Sequence, residues 1–177
     1  PADFILENLK IQNNVIEISW KHKIKKFLFL GSSCIYPKYA TQPIKEEYLL
    51  NGLLEETNEP YAIAKIAGIK LCEALRKQYN FDAISLMPTN LYGPKDNYDI
   101  ENSHVMASLI KKFYEASKNS KKKVICWGSG NPMREFMHVD DLSSAVIHIL
   151  ENKNRRLLDF NTNSFSKDTN IFNVGTG

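Results

Sequence analysis

Apolar residues recur along the chain in two rhythms, and the change between them marks out the elements. From Asp3 to about Lys23 they fall near a 3.6-residue period, with Phe4, Ile5, Leu9, Ile16 and Trp20 as core contacts, which predicts a helix. Phe27-Leu28-Phe29-Leu30 is a short unalternated apolar run closed by Gly31, the pattern of a parallel strand buried on both faces. Pro60 to Tyr79 is the strongest helical segment: Pro60 suits its first turn, Arg76 and Lys77 its last. Ile63, Ile66, Ala67, Leu71 and Leu75 give it apolar faces, and alanine, isoleucine and glycine continue almost all round its first half, so burial of that half on more than one side is expected. Ala83–Met87 reads as the next strand, stopped by Pro88, and Ser103 as the cap of a helix to about Ser117. A strand over Val124–Trp127, a turn over Gly128–Pro132 and a short extended segment over Arg134–Val139 follow. Asp140 is the expected N-cap of a helix over Leu142–Glu151, and Ile171–Val174 reads as the last strand.

Three polar stretches separate these elements. Residues 32–58 and 90–102 are rich in Pro, Asn, Gly and Asp, and residues 152–169 read as an excursion. Loops of such length inside one domain are usually functional or hold minor structure. Strands alternating with helices predict an α/β fold, Rossmann-like, with a mostly parallel sheet and helices on both faces. No internal repeat and no linker splits the chain.

Composition narrows the classes. The 177 residues are 43% hydrophobic and 24% charged, which is globular and excludes disorder, collagen and a disulfide scaffold. Lys+Arg minus Asp+Glu is 23 − 20 = +3, too small an excess for a dedicated nucleic-acid binder. Lys121–Lys123 read as a solvated edge before a strand. No apolar run approaches the roughly 20 residues of a membrane span, so no membrane partner is expected. Cys34, Cys72 and Cys126, odd in number and widely spaced, suit a reducing cytosol, and no pattern of zinc ligands is present.

The candidate chemistry begins with Tyr61 and Lys65. Tyr-x-x-x-Lys at the start of a helix places both side chains on one face, about 5–6 Å apart at Cβ. An ammonium there favours the phenolate and would lower the Tyr pKa toward general acid–base work. The same spacing also arises by chance on helices. Gly31-Ser32-Ser33 at the end of the first strand adds weight, because ligands of open α/β sheets bind at the carboxyl ends of the strands. A serine there either bonds a substrate oxygen or satisfies its own turn. Strand–Gly-Ser-Ser, then Tyr-x-x-x-Lys, then strand–Pro88-x-Asn90 is a much rarer conjunction than any one of its parts.

With these residues the chain resembles the extended short-chain dehydrogenase/reductase superfamily, whose signature is this Ser, Tyr and Lys. Within it the similarity is to the GDP-4-keto-6-deoxy-mannose 3,5-epimerase-4-reductases. It rests on FLGSSCIYP at Phe29–Pro37, NEPYAIAKIAGIKLCE at Asn58–Glu73 and MPTNLYGPKDN at Met87–Asn97. It continues through NSHV at Asn102–Val105, WGSGNPMREFMHVDDL at Trp127–Leu142 and NVGTG at Asn173–Gly177. The resemblance implies a partial NAD-dependent epimerase/dehydratase domain over 1–177. Residues up to about 91 would be its Rossmann portion and residues from about 92 a mixture of substrate-binding and Rossmann parts.

It further implies NADP(H) as cofactor, a cytoplasmic homodimer and a nucleotide-sugar substrate, GDP-4-keto-6-deoxy-mannose. Ser32, Tyr61 and Lys65 would form the reductase site, with Cys34 and His104 as the acid–base pair that inverts C3 and C5. Without the resemblance, Cys34 reads as a small buried hydrophobe and His104 as a polar residue in a helix's first turn. Leu30, Gly31, Ser32, Ser33, Tyr61, Lys65, Pro88, Thr89, Asn90, Leu91 and His104 would line the cofactor. Lys112, Trp127 and Arg134 would meet the nucleotide sugar, Arg134 as a guanidinium fork on pyrophosphate. His138, Asp140 and Asp141 read as packing and capping.

The pattern breaks at one place. None of the eight glycines makes the G-x-x-G-x-x-G phosphate loop that opens such folds. Together with a start at Pro1 and a stop at Gly177, this leads us to expect a piece truncated at both ends that does not turn over alone. Two other readings remain at this level. One is a 4-epimerase or 4,6-dehydratase of another nucleotide sugar, which needs Ser, Tyr and Lys but not the Cys/His pair. The other is a non-catalytic Rossmann-like scaffold, against which the intact Ser32, Tyr61 and Lys65 argue.

Overall fold

A run such as Ala-Ile-Ser-Leu-Met-Pro, apolar but for one serine, has no side to turn to water, and the fold places it centrally. The computed structural model describes residues 1–99, 103–151 and 170–177. In chain order these form α1 (Ala2–Lys21), β1 (Phe27–Leu30), α2 (Glu59–Tyr79), β2 (Ala83–Pro88), β3 (Asn90–Tyr92), α3 (Val105–Lys118), β4 (Phe136–His138), α4 (Val139–Glu151) and β5 (Ile171–Val174). Among them β1, β2 and β5 make one parallel sheet with β2, buried at all its positions, in the middle. β3 and β4 pair in parallel as a second small sheet.

Alternation along the strands sorts side chains to two faces. On one, Phe29, Met87 and Ile171 join Ile16 of α1 and Ile66, Ile69, Cys72 and Leu75 of α2. On the other, Ile84 and Leu86 meet Ile149 of α4, with Leu28, Val146, Phe172 and Val174 packed around them. Helices therefore cover both faces, as expected. Each fully buried Ile, Leu or Met contributes about 1.5–3 kcal/mol of transfer free energy, so this two-sided core is the main source of order. Gly68 lets α2 approach the sheet: a Cβ there would lie 2.5 Å from the Phe29 ring. At the far end of α2, Asn80 takes the left-handed conformation (φ 55°), and Arg76 pairs with Asp82 at 3.1 Å to lead the chain into β2.

Several expectations need correction. Val124–Trp127 pairs with no strand among the described residues and is largely exposed, with Ile125 81% accessible. Its apolar letters mimic a strand, but no described edge receives its backbone. Asn90–Tyr92, expected as loop, is a short strand, because its amides pair with β4. The cap of α3 is His104, not Ser103, whose hydroxyl is buried without a partner among the described residues. Helix α4 starts at Val139, and the Asp140 amide donates to His138 Nδ1 at 3.2 Å, so His138 does the capping expected of Asp140. β1 is less buried than its composition suggests: it lies at the edge of the described sheet and Leu30 is 40% exposed. Phe4 is exposed and packs its ring against Tyr61 rather than into the core. The excursion at 152–169 lies outside the described residues.

Candidate active site

The carboxyl end of β1 is shaped by close packing. The Gly31 amide donates to the Leu86 carbonyl at 2.8 Å, and a Cβ at Gly31 would lie 3.2 Å from Ile69 and 3.3 Å from that carbonyl. The chain then turns sharply through a 3₁₀ turn, Ser33–Ile35, capped by Ser32, whose hydroxyl accepts from the Cys34 amide at 3.4 Å. Ile35 and Tyr36 sink into the core behind the turn, so Ser32 and Cys34 are held at its rim.

Helix α2 supplies the opposite wall. Tyr61 and Lys65 sit one turn apart, with the Lys65 ammonium 5.6 Å from the centre of the Tyr61 ring and 5.1 Å from that of Phe29. Lys65 Nζ donates to the Leu30 carbonyl at 2.9 Å, which ties the helix to the strand end. The Ser32 hydroxyl is hydrogen-bonded to both Tyr61 and Cys34. Ser32, Cys34, Tyr61 and Lys65 thus form one cluster built from two elements.

Burial dominates the electrostatics of this cluster. It pushes the Cys34 thiol up, against the pull of Ser32, the backbone amide and Lys65 in the other direction. Burial likewise raises the Tyr61 phenol, with negative charge on Cys34 adding to it and Ser32 opposing. It lowers the Lys65 ammonium, with Cys34 opposing. The expectation that Lys65 lowers the Tyr61 pKa is therefore corrected. The ammonium lies over the ring and bonds the Leu30 carbonyl, and desolvation of the phenolate wins.

The other candidate residues are arranged around this cluster or apart from it. Pro88 ends β2, and the Thr89 amide donates to the Val174 carbonyl at 3.2 Å, while the Thr89 hydroxyl is buried with no partner among the described residues. Asn90 turns its side-chain amide onto the Glu135 carbonyl at 3.0 Å, and Leu91 lies opposite Met137. His104 is exposed at the start of α3, and no described hydrogen bond links it to the cluster. Lys112 and Trp127 are brought together, the ammonium 5.3 Å from the ring. Arg134 is exposed and donates to its neighbour's carbonyl, Met133, at 2.9 Å.

Sequence reasoning missed two supports. Glu135 accepts from the Thr176 amide, the Thr176 hydroxyl and the Gly177 amide. Burial pushes its carboxyl up, but these bonds outweigh it and hold it below the usual range. Asn173 accepts from the Tyr36 hydroxyl at 2.6 Å. The signal for Glu135 is a lone acid between Arg134 and an apolar run. Asn173 announces itself only as a carboxamide inside a strand. Among the described residues no group of His, Cys, Asp or Glu is placed to hold a metal.

A serine, tyrosine and lysine gathered at the carboxyl ends of parallel strands is an arrangement that comparison can test. The model of the NAD dependent epimerase/dehydratase family matches residues 1–175. The chain belongs to this family. It is 54% identical over 177 residues to the GDP-L-fucose synthase of Escherichia coli K12, covering 100% of this chain and 54% of that one. It is 60% identical over 152 residues to a probable GDP-L-fucose synthase of Oryza sativa subsp. japonica, covering 85% and 46%. In three dimensions it resembles a GDP-mannoheptose C4 reductase from Campylobacter jejuni with NADP bound, with a TM-score of 0.82 and 38% identity over 99% of this chain and 59% of that one. The Rossmann-like fold is thereby established. The chain spans about half the length of the curated relatives it matches.

Proposed function

We propose that this chain carries the catalytic segment of a GDP-L-fucose synthase. Such an enzyme converts GDP-4-keto-6-deoxy-D-mannose to GDP-L-fucose by inversion at C3 and C5 and then reduction at C4. The observation that carries the reading is a thiol, Cys34, inside the Ser32–Tyr61–Lys65 cluster. Reduction alone needs the latter three; an acid–base thiol beside them serves carbon inversion. Identity of 54% across the whole chain to the Escherichia coli synthase supports the same reading.

The chemistry follows from the side chains. C3 and C5 flank a ketone, so their protons are acidic. Inversion at each needs one group to take the proton and another to return one on the opposite face. Cys34 and His104 are that pair. For the reduction, Tyr61 stays protonated because burial holds its phenol high, which makes it a donor to the C4 oxygen. Ser32, hydrogen-bonded to Tyr61, orients that oxygen. NADPH, when bound, supplies the hydride. Leu30–Ser33 and Pro88–Leu91 would line it, with Tyr61 and Lys65 against its ribose and His104 at its margin. The residues fit such a group in one respect: the buried Thr89 hydroxyl, without a partner among the described residues, offers a bond. Lys112, Trp127 and Arg134 would hold the GDP-sugar.

On this reading residues up to about 91 are the Rossmann portion and those from about 92 are mixed, which the return of α4 and β5 to the main sheet supports. The protein is cytoplasmic and a homodimer. Phe4, Ile11, Val15 and Ile18 form an exposed apolar stripe on α1, beside its buried face, that suits pairing with a second copy.

The test is Cys34→Ser and His104→Gln in the full-length protein containing this chain, read as solvent-deuterium incorporation at C3 and C5. Loss of incorporation in each is the expected result. Full exchange in both would leave a simple nucleotide-sugar reductase or 4-epimerase instead.

A further inference from the structure

The cluster is built on a turn, and something must hold that turn. Ser32–Cys34 leaves β1 and within two residues meets Tyr36, whose ring is only 4% exposed. The Tyr36 hydroxyl donates to Asn173 Oδ1 at 2.6 Å, across 137 residues of chain. Asn173 makes two further bonds to the segment that follows: its side-chain amide donates to the Ile44 carbonyl at 2.9 Å and its backbone amide to Glu46 Oε1 at 2.8 Å. That backbone amide lies on the side of β5 away from β2, so Glu46 caps an edge that no described strand covers. Burial, and then the nearby Glu46 charge, push the Tyr36 phenol far up, so it remains a donor throughout the working pH range.

We propose that Tyr36 and Asn173 are positioning residues for the epimerase half of the reaction: through their shared hydrogen bond, β5 holds the 3₁₀ turn so that the Cys34 thiol stays at its place beside Ser32, Tyr61 and Lys65. The inference rests on the function proposed above. Ser32 has a second anchor, since it adjoins Gly31, whose amide is fixed to Leu86. Cys34 sits nearer Tyr36 and farther from that anchor. Loosening the latch therefore moves the thiol more than the serine. Displacement by about 1 Å of a reacting group costs up to about 100-fold in rate.

The experiment uses the full-length protein with the 4-keto sugar and NADP⁺ in place of NADPH, so that no reduction follows, and reads deuterium incorporation at C3 and C5. Tyr36→Phe keeps the ring and deletes only the bond. It is expected to slow incorporation about 10- to 100-fold, with KM changed by less than about threefold. Asn173→Ala is expected to do the same, and the double variant to be no slower than the worse single, because both remove one bond. Alkylation of Cys34 by iodoacetamide, in a Cys72→Ser, Cys126→Ser background, is expected to change rate in both singles. Thermal melts give the folded fraction, and rates are taken per folded molecule. Exchange in Tyr36→Phe within twofold of the parent, or a loss that follows the melting temperature alone with unchanged alkylation, overturns the proposal. If Tyr36→Phe does not fold, Asn173→Ala and the alkylation rate decide by the same criteria. A parent protein that shows no exchange at all would instead sink the function on which this inference rests.

Discussion

The two halves of the candidate site are held in different ways. Ser32 and Cys34 lie on the turn that buries Ile35, and Tyr61 and Lys65 on the helix that buries Ile69, both wholly inaccessible to solvent. Trp127, proposed to meet the sugar, and Met133, next to Arg134, are each 90% exposed, and they ride on a segment that no described strand pairs with. Acid–base chemistry demands placement of donors and acceptors to within a few tenths of an ångström, and a close-packed core supplies it. A phosphate fork or a ring over a base tolerates more movement, because a long side chain closes on its ligand after arrival. The difference predicts that substitutions in the first region damage chemistry and folding, and in the second, binding alone.

The sharpest test of this contrast is Tyr61→Phe. Removing a positioned general acid costs about 10²–10⁴ in rate, so NADPH oxidation by the 4-keto sugar should fall by that factor. Deuterium exchange at C3 and C5 should stay within a few-fold, because the proposed acid–base pair is Cys34 and His104. If exchange collapsed equally, the separation into reductase and epimerase groups would be wrong. Next in size is Ile69→Ala. Ile69 is fully buried and packs against Gly31 at the strand end. Truncation should cost about 2–5 kcal/mol of stability, measured by urea unfolding. It should also slow turnover per folded molecule, because the cavity opens under the catalytic turn.

How much of this was legible beforehand follows the same division. The strands β1, β2 and β5 and the helices α1 and α2 lie within a few residues of their expected ends, because long apolar periodic segments in a core obey local pattern. Tyr61, Lys65 and Ser32 came together as expected, since a helix face and a strand end are local geometry. Val124–Trp127 failed because strand formation needs a partner edge, and a partner is not written in the segment itself. β3 was missed for the converse reason: three residues of loop-like composition become a strand through β4. The Tyr61 pKa went the wrong way because the pair spacing shows the ammonium but not the burial or the Leu30 carbonyl that claims it. Asn173 and Glu135 act across more than forty residues of chain, and nothing in their neighbourhoods reports that.

A smaller effect sharpens the electrostatic side of the comparison. Burial raises the Cys34 thiol, so the folded protein binds this proton more tightly than the unfolded chain. Its contribution to stability is fully present below the unfolded pKa and is lost as pH rises through the folded one. Alkylation of Cys34 in a Cys126→Ser background should thus rise with pH around a midpoint above the ordinary thiol value of about 8.5. Cys72, pushed up to about 12 by burial and then Glu73, stays silent across that range. Lys65→Met removes the cation that draws Cys34 down, so the midpoint should move further up. A midpoint at or below the ordinary value would mean that Lys65, not burial, governs the thiol.

The least effect on folding is expected where exposure is greatest. Trp127→Ala deletes the largest side chain in the chain's composition, and in a core such a change costs about 3–5 kcal/mol. Here the ring is 90% exposed and its described partner is the Lys112 ammonium, an exposed cation–π contact worth about 0.5–1 kcal/mol. The loss of stability should therefore not exceed about 1 kcal/mol in urea unfolding. KM for the nucleotide sugar should rise while kcat holds, because losing a group that binds ground state and transition state alike raises KM and leaves kcat unchanged. A core-sized loss of stability would show that the sugar-side segment is packed after all. A fall in kcat with KM unchanged would place Trp127 with the chemistry, and the two regions would no longer be different in kind.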